Sequence, residues 1–349
     1  MKRILYLTNI EAPYRVRFFN ALADHCRLTV AYERRSSSNR NADWLRSEGR
    51  NHEAIFLDGR KIGGENSFTF RIISLVRQGW DLVIVGCFNS PMQIMAMQAM
   101  RLLGIPYALN FDGEQFFGTS LKDRIKRLVV GGASAYIIAG NEAARNLKAV
   151  VGDKPIFDYP FSSLSRAEVE RNAAMPRIDG GFVLVVGQYE NYKGLDIAIE
   201  VARRDPNTHY KFIGTGRRTE EFCRDRHVPD NVEVIPFLAK PQLEEQYRSA
   251  RMLVLPSRRE CWGLVVNEAA SFGTPIVATR GSGAAVEFLA NDYPQYLAEP
   301  DSVDSLARCV SKCLTNADET YSEFLRNRSR QYTIEASVDA HISLIGTYR

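Results

Sequence analysis

Strand-length apolar runs alternate with amphipathic stretches along the chain. KRILYLTN predicts a strand, YRVRFFNALADH a helix and RLTVAYE a second strand. DLVIVGC, YALNFDG and AYIIAGN continue the series, with a Met-rich helix through MQIMAMQAMRLL. Methionine at helical spacing fits core filling, and a soft binding surface is its other use. Strands alternating with helices imply a parallel sheet with helices on both faces. From about Ile156 to Gly181 the pattern breaks: FDYPFSSLSRAEVERNAAMPRIDGG has the prolines, serines and paired glycines of a linker. The alternation restarts with FVLVVGQ, LDIAIEVARR, YKFIGTG, RTEEFCRDR, VEVIPF, LEEQYRSA, RMLVLPS, VVNEAASFG and PIVAT. A last helix is predicted in IEASVDAHISLIGTYR. The expected fold class is α/β, with two doubly wound parallel-sheet domains facing a cleft outside the strand carboxyl ends, where open α/β sheets bind ligands. The expected boundaries are 1–160 and 181–331 for the domains, 161–180 for the linker and 332–349 for the terminal helix.

At 349 residues the chain exceeds one comfortable hydrophobic core. Its 45% hydrophobic and 25% charged residues are those of an ordinary soluble protein. No apolar run approaches the roughly 18 residues that span a bilayer. MKRILYLTNIEAPYR reads as a first strand and not as a signal peptide. The six cysteines show no metal or redox spacing, and Cys309 and Cys313 read as helix-face thiols. Such usage fits a reducing cytoplasm. Charge is uneven: residues 1–160 hold 22 Lys/Arg against 15 Asp/Glu, or +7, and residues 161–349 hold 23 against 26, or −3. The basic excess suits an anionic partner such as a lipid headgroup surface or a phosphorylated acceptor, or is a solvated surface with no partner. Nucleic acid is disfavoured, because no Arg-rich helix or interleaved aromatic platform appears. Arg15, Arg17, Phe18 and Phe19 either rest on a membrane surface or pack Phe18 and Phe19 into the core.

Neither glycine-rich turn is a dinucleotide fingerprint. GTGRRT carries Gly214 and Gly216 but has Thr219 in the third glycine's place, and GSGAAV has Val286 there. No Walker loop, His-Glu-x-x-His motif or Asp-x-Asp pair occurs, so a metal-free site is expected. In LVVGQYENYKGLDIAIEVA, Lys193 and Gly194 fall in a strand-to-helix loop on the ligand side of a sheet. A lysine there can neutralise a phosphate, and a glycine lets backbone approach closely. LPSRRECWGLVVNEAASFGTPIVAT repeats that geometry, with a helix ended near Gly273 and Pro275. The first amides of that helix, near Trp262 to Val265, lack intrahelical partners and favour an anion. Glu260, just before them, would repel an anion and is expected to face hydroxyl donors. Glu268 falls beside Asn267 and Ser271 on a polar arc, as a ribose ligand or an ordinary solvated helix glutamate. Together these parts suggest a ligand with a polyol, a diphosphate and a ribose, which is a nucleotide sugar.

PSRRECWGLVVNEAASFGTPIVAT resembles the hallmark of family 4 glycosyltransferases, retaining enzymes of GT-B fold built from two Rossmann-like domains. That hallmark sets two glutamates with seven residues between them around a short glycine-aromatic-glycine stretch. VVGQYENYKGLDIAIE, FIGTGRRTEEF and NVEVIPFLAKPQLEEQYRSARMLVLPS follow in the family's order, from Phe182 to Glu287. APYRVRFFNALA resembles the opening of members that build bacterial surface polysaccharides, and the terminal helix is similar to the one that returns to the first domain. The resemblance implies that Glu260 contacts the donor sugar, Glu268 the ribose and Lys193 the diphosphate. It also implies phosphate or sugar contacts from the amides of Trp262, Gly263 and Leu264, and base contacts near Phe237 and Leu238. Gly214 and Gly216 complete the donor side.

Three positions depart from the family pattern. Gln188 replaces an arginine beside the lysine-glycine loop, so either Arg217 or Arg15 is the substitute cation or donor affinity is lower. Cys261 replaces a glycine and narrows the donor pocket. Asp112, with Glu114 near, stands where many members carry a histidine; it either orients acceptor or donor sugar or is a turn residue before Gly113. The implied activity is retaining transfer from a UDP- or GDP-linked sugar to a carbohydrate or lipid-linked acceptor. No cofactor is implied, and the expected place is the cytoplasm at the inner face of the membrane. The alternatives are a sugar-nucleotide epimerase or phosphorylase of similar fold, or a silent nucleotide-sugar-binding subunit.

Overall fold

The computed structural model describes residues 1–35, 49–63, 65–86, 89–113 and 120–348. The chain divides into two compact units, Met1–Phe161 with Ile334–Arg349, and Ser162–Thr333. Each is an α/β unit built on one parallel sheet.

The first unit holds seven sheet strands: β1 (Arg3–Thr8), β2 (Arg27–Tyr32), β3 (Glu53–Phe56), β6 (Leu82–Val85), β7 (Tyr107–Phe111), β8 (Ala135–Ile138) and β9 (Ile156–Asp158). A small antiparallel hairpin of β4 (Arg60–Gly63) and β5 (Asn66–Phe68) lies outside the sheet. The sheet order is β3-β2-β1-β6-β7-β8-β9, and Ile4 to Leu7 pair in register with Leu82 to Val85. All four residues of β6 and of β8 are buried, as expected of strands covered on both faces. The terminal helix Ile334–Gly346 belongs to this unit and packs along the helix Pro13–Ala23. Phe18 and Phe19 are core residues of that packing, and Arg15 is buried with them, so these three do not form a membrane surface.

The second unit holds β10 (Phe182–Val186), β11 (His209–Ile213), β12 (Val232–Ile235), β13 (Met252–Leu255), β14 (Ile276–Thr279) and β15 (Leu297–Ala298). Their order, β12-β11-β10-β13-β14-β15, is that of a Rossmann sheet. Its strand order reverses between β10 and β13. The stretch expected as a linker is not one throughout. Residues Arg166–Ala174 form a helix of this unit, started by a capping box in which Ser165 and Glu168 satisfy each other's backbone amides. Cys309 and Cys313 are buried on the helix Val303–Asn316.

Candidate donor site

Reversal of the strand order between the parallel neighbours β10 and β13 places two loops side by side at the carboxyl edge of the sheet. Residues Asn191–Lys193 make one 3₁₀ turn after β10. Gly194 then turns into the helix Leu195–Arg204 with φ 67°. The facing loop leaves β13 through Pro256. A Cβ at Gly194 would collide with the Pro256 carbonyl, so only glycine lets the loops close. Gly194→Ala is therefore expected to destabilise the second unit by about 2–4 kcal/mol. Gly216→Ala is the control. Gly216 has φ 64° with nothing within 4 Å of its added methyl, and that change should cost only about 1 kcal/mol. Urea midpoints of the two variants test the contrast, and equal losses would refute the close-approach argument.

The closed loops bring Lys193 and Glu260 together. Lys193 Nζ donates to Glu260 Oε1, and Ser257 Oγ donates to Glu260 Oε2 at 2.8 Å. Their side chains are only 17% and 15% exposed, so this pair is shielded more than a surface ion pair. Glu260 thus faces a lysine ammonium and a serine hydroxyl of its own unit. Arg258 fastens the two loops. It makes a two-pronged bond to Asp196 at 2.8 and 2.6 Å, donates to the Asn191 carbonyl at 2.6 Å and pairs with Asp301. Against the opposing effect of burial, the two bonds from Arg258 and its charge hold the Asp196 carboxyl below its usual range.

The loop around Glu260 is also held from the far side. Glu260 N donates to Gly281 O at 2.7 Å, Gly283 N to Glu260 O at 3.2 Å, and Ser282 Oγ to Trp262 O at 2.6 Å. A Cβ at Gly283 would strike the Cys261 carbonyl. The glycines of GSGAAV therefore serve close packing under the Glu260 loop. Sequence reasoning only excluded a dinucleotide fingerprint there, although their spacing was the available signal.

The helix Leu264–Ser271 starts at Gly263. The amides of its first residues, Leu264 and Val265, have no acceptor within the helix by its geometry, and its dipole is positive there. An ideal Cβ on Gly263 would lie 3.6 Å from Glu260 Cδ, so the carboxylate stands over this helix start. The Trp262 ring is buried, with Nε1 donating to Asn267 Oδ1 at 2.9 Å, while Cys261 is exposed. The polar arc of this helix is not a solvated face. Asn267 and Ser271 are buried, and Ser271 accepts from Asn172 Nδ2 at 2.9 Å. Glu268 accepts from Ser163 Oγ at 3.0 Å and from Tyr247 Oη at 2.8 Å. Burial raises its carboxyl above the usual range, against the effect of those two bonds. Each oxygen keeps a second lone pair for another donor.

Other expected residues sit along the same sheet edge or in the first unit. Gln188 follows β10 and is half-buried. Gly214 N donates to Ile235 O at 3.0 Å and Gly216 N to Pro236 O at 2.8 Å, tying the loop after β11 to the one carrying Phe237 and Leu238. Phe237 is exposed and Leu238 half-buried. In the first unit Asp112 follows β7, pairs with Arg15 and accepts from Tyr159 Oη at 2.7 Å. Arg15 also reaches Asn110 Oδ1 at 3.4 Å, so its guanidinium is committed within its own unit. Asp112 is more than a turn residue, since two buried side chains converge on it. Glu114 and the Arg217 side chain lie outside the described residues.

Residues 168–332 match the family model described as glycosyl transferases group 1. An uncharacterized glycosyltransferase of Haemophilus influenzae is 27% identical over 175 residues, covering 47% of this chain and 49% of that protein. A D-inositol 3-phosphate glycosyltransferase of Acidothermus cellulolyticus is 34% identical over 133 residues, covering 34% of this chain and 30% of that protein. The chain thus spans half or less of the length of these curated relatives. An E. coli trehalose-6-phosphate structure bound with UDP-2-fluoro glucose shares the fold, with TM-score 0.70 and 12% identity over 99% of both chains. The fold is therefore GT-B-like, and residues 168–332, within the second unit, are similar to the group 1 glycosyl transferases.

Proposed function

We propose that the chain is a retaining glycosyltransferase. It moves a sugar from a nucleotide-diphosphate-sugar donor to a carbohydrate or lipid-linked glycan acceptor in surface-polysaccharide synthesis. One observation carries this reading: Lys193 and Glu260 meet at the switch point of a Rossmann-ordered sheet, beside an open helix start, inside the family-matched segment. In this reading Lys193 and the amides of Leu264 and Val265 hold the diphosphate, and Glu260 holds sugar hydroxyls. Glu268 accepts from the ribose, and the Phe237–Leu238 loop meets the base. Asp112, fixed by Arg15 and Tyr159, orients the acceptor. A UDP-linked donor is favoured by the UDP sugar in the E. coli structure of similar fold.

The chemistry follows from charge. As the bond from sugar to phosphate breaks, negative charge grows on the leaving diphosphate. Lys193 and the helix amides stabilise that charge more in the transition state than before it. The acceptor hydroxyl gives its proton to the leaving phosphate on the same face of the sugar, so configuration is retained without a protein nucleophile. Thermal shift against UDP, GDP, ADP, CMP and their sugar conjugates tests the donor site. One nucleoside diphosphate is expected to raise the melting temperature of wild type and not of Lys193→Ala. No shift with any of them would remove the donor reading, whereas a shift without turnover on any acceptor would favour the silent nucleotide-sugar-binding subunit.

A further inference from the structure

The helix Leu121–Val130 of the first unit turns its apolar stripe outward. Leu121, Ile125 and Leu128 lie one turn apart and are 71%, 54% and 70% exposed. The helix packs through Val130, which is fully buried, and Val129 beside it also rests on the core. A surface helix of a soluble domain does the opposite. The helix is properly started, with Asp123 N donating to Ser120 Oγ at 3.2 Å, so the outward stripe is not a frayed end. The neighbouring helix Pro91–Leu103 ends in Leu102 and Leu103, both exposed. Its Arg101 Cδ lies 3.5 Å from where a Cβ on Gly132 would stand, so the two helix ends are adjacent.

Charge identifies the occupant. By sequence the helix carries Lys122, Arg124, Lys126 and Arg127 against Asp123 alone, and Arg101 adds to them. An apolar stripe with cationic flanks is the pattern of a helix lying in a membrane interface. A second copy of this chain would set the same cations against one another across a two-fold contact. No described helix is long and apolar enough to cross a membrane, so the contact is with its surface. We propose that this face docks on an anionic lipid bilayer, with Leu121, Ile125 and Leu128 at the headgroup–acyl boundary and the exposed Arg124 among the lipid phosphates. This surface replaces Arg15, Phe18 and Phe19 as the membrane-facing part of the first unit, and it stands independently of the donor site.

Vesicle co-sedimentation tests the proposal. Wild type is expected to pellet with phosphatidylcholine vesicles containing phosphatidylglycerol, and far less with phosphatidylcholine alone. The double variant Ile125→Glu/Leu128→Glu should bind the mixed vesicles about tenfold more weakly, or less still, with an unchanged thermal melt. Arg124→Ala/Arg127→Ala should weaken binding and flatten its salt dependence. Wild type left in the supernatant, or a double variant that binds as well as wild type, overturns the proposal. So does a double variant whose only effect, in sedimentation velocity, is to dissolve a self-associated species or release an acidic protein partner.

Discussion

Replacing Lys193 by alanine is expected to slow the proposed transfer about a hundredfold, the order of loss when one donor to a developing oxyanion is removed. This lysine is held by Glu260 over the helix start, so the carboxylate stands where a phosphate's charge would be favoured. The donor must then compete with an internal anion. Glu260→Gln should therefore act with opposite signs on two readouts. Binding of the free nucleoside diphosphate should tighten about threefold to tenfold, because the ammonium is released from a half-shielded pair. Turnover should fall, because an amide is a weaker acceptor for a sugar hydroxyl. Calorimetry with UDP and GDP beside steady-state kinetics separates the two. Near-normal turnover in both Lys193→Ala and Glu260→Ala would sink the mechanism.

Acid is expected to destabilise the first unit well before most carboxylates titrate. His341 is buried against Phe18 and Tyr159, with ring centroids 4.6 and 5.2 Å away, and its Nδ1 donates to the Ser337 carbonyl at 2.7 Å. Burial, with the Arg15 charge nearby, lowers its pKa from 6.5 to about 3, despite the opposing Ser337 bond. Between those values the unfolded chain binds a proton that the folded chain refuses. Stability is thus fully present above about pH 6.5 and falls as pH drops toward 3. The full effect is on the order of 4 kcal/mol. His52, also buried and lowered to about 4, adds to the same slope. Urea midpoints between pH 8 and pH 4 should fall steeply for wild type and about half as steeply for His341→Leu. A pH-independent midpoint in wild type would refute the assignment.

Much of the architecture was legible because buried parallel strands are written as apolar runs. All ten strands read from the sequence are present, and the five that were missed are short or lie at edges. The hairpin residues Arg60–Gly63 are all exposed and carry no apolar run to betray them. The Arg166–Ala174 helix was masked by serines and prolines, although Ser165 and Glu168 spelled a capping box. At the site, the lysine-glycine loop and the paired glutamates were visible as local motifs. The solvation of Glu268 was not, since Ser163 and Tyr247 come from distant segments and wheel position alone does not say what covers a face. Nor was the Arg258–Asp196 bond, which joins residues 62 positions apart.

That clamp bears on how such a domain can be re-engineered. Arg258 ties residues 191 and 196 to the Glu260 loop, and Gly281 and Gly283 seat that loop from beneath. Three separate pieces of chain therefore form one mechanical part. Grafting the Glu260 segment alone from a relative with another sugar preference would leave a guanidinium without its carboxylate and a loop without its seat. Swapping residues 191–196, 256–263 and 281–283 as a set is the smallest exchange that keeps the part whole.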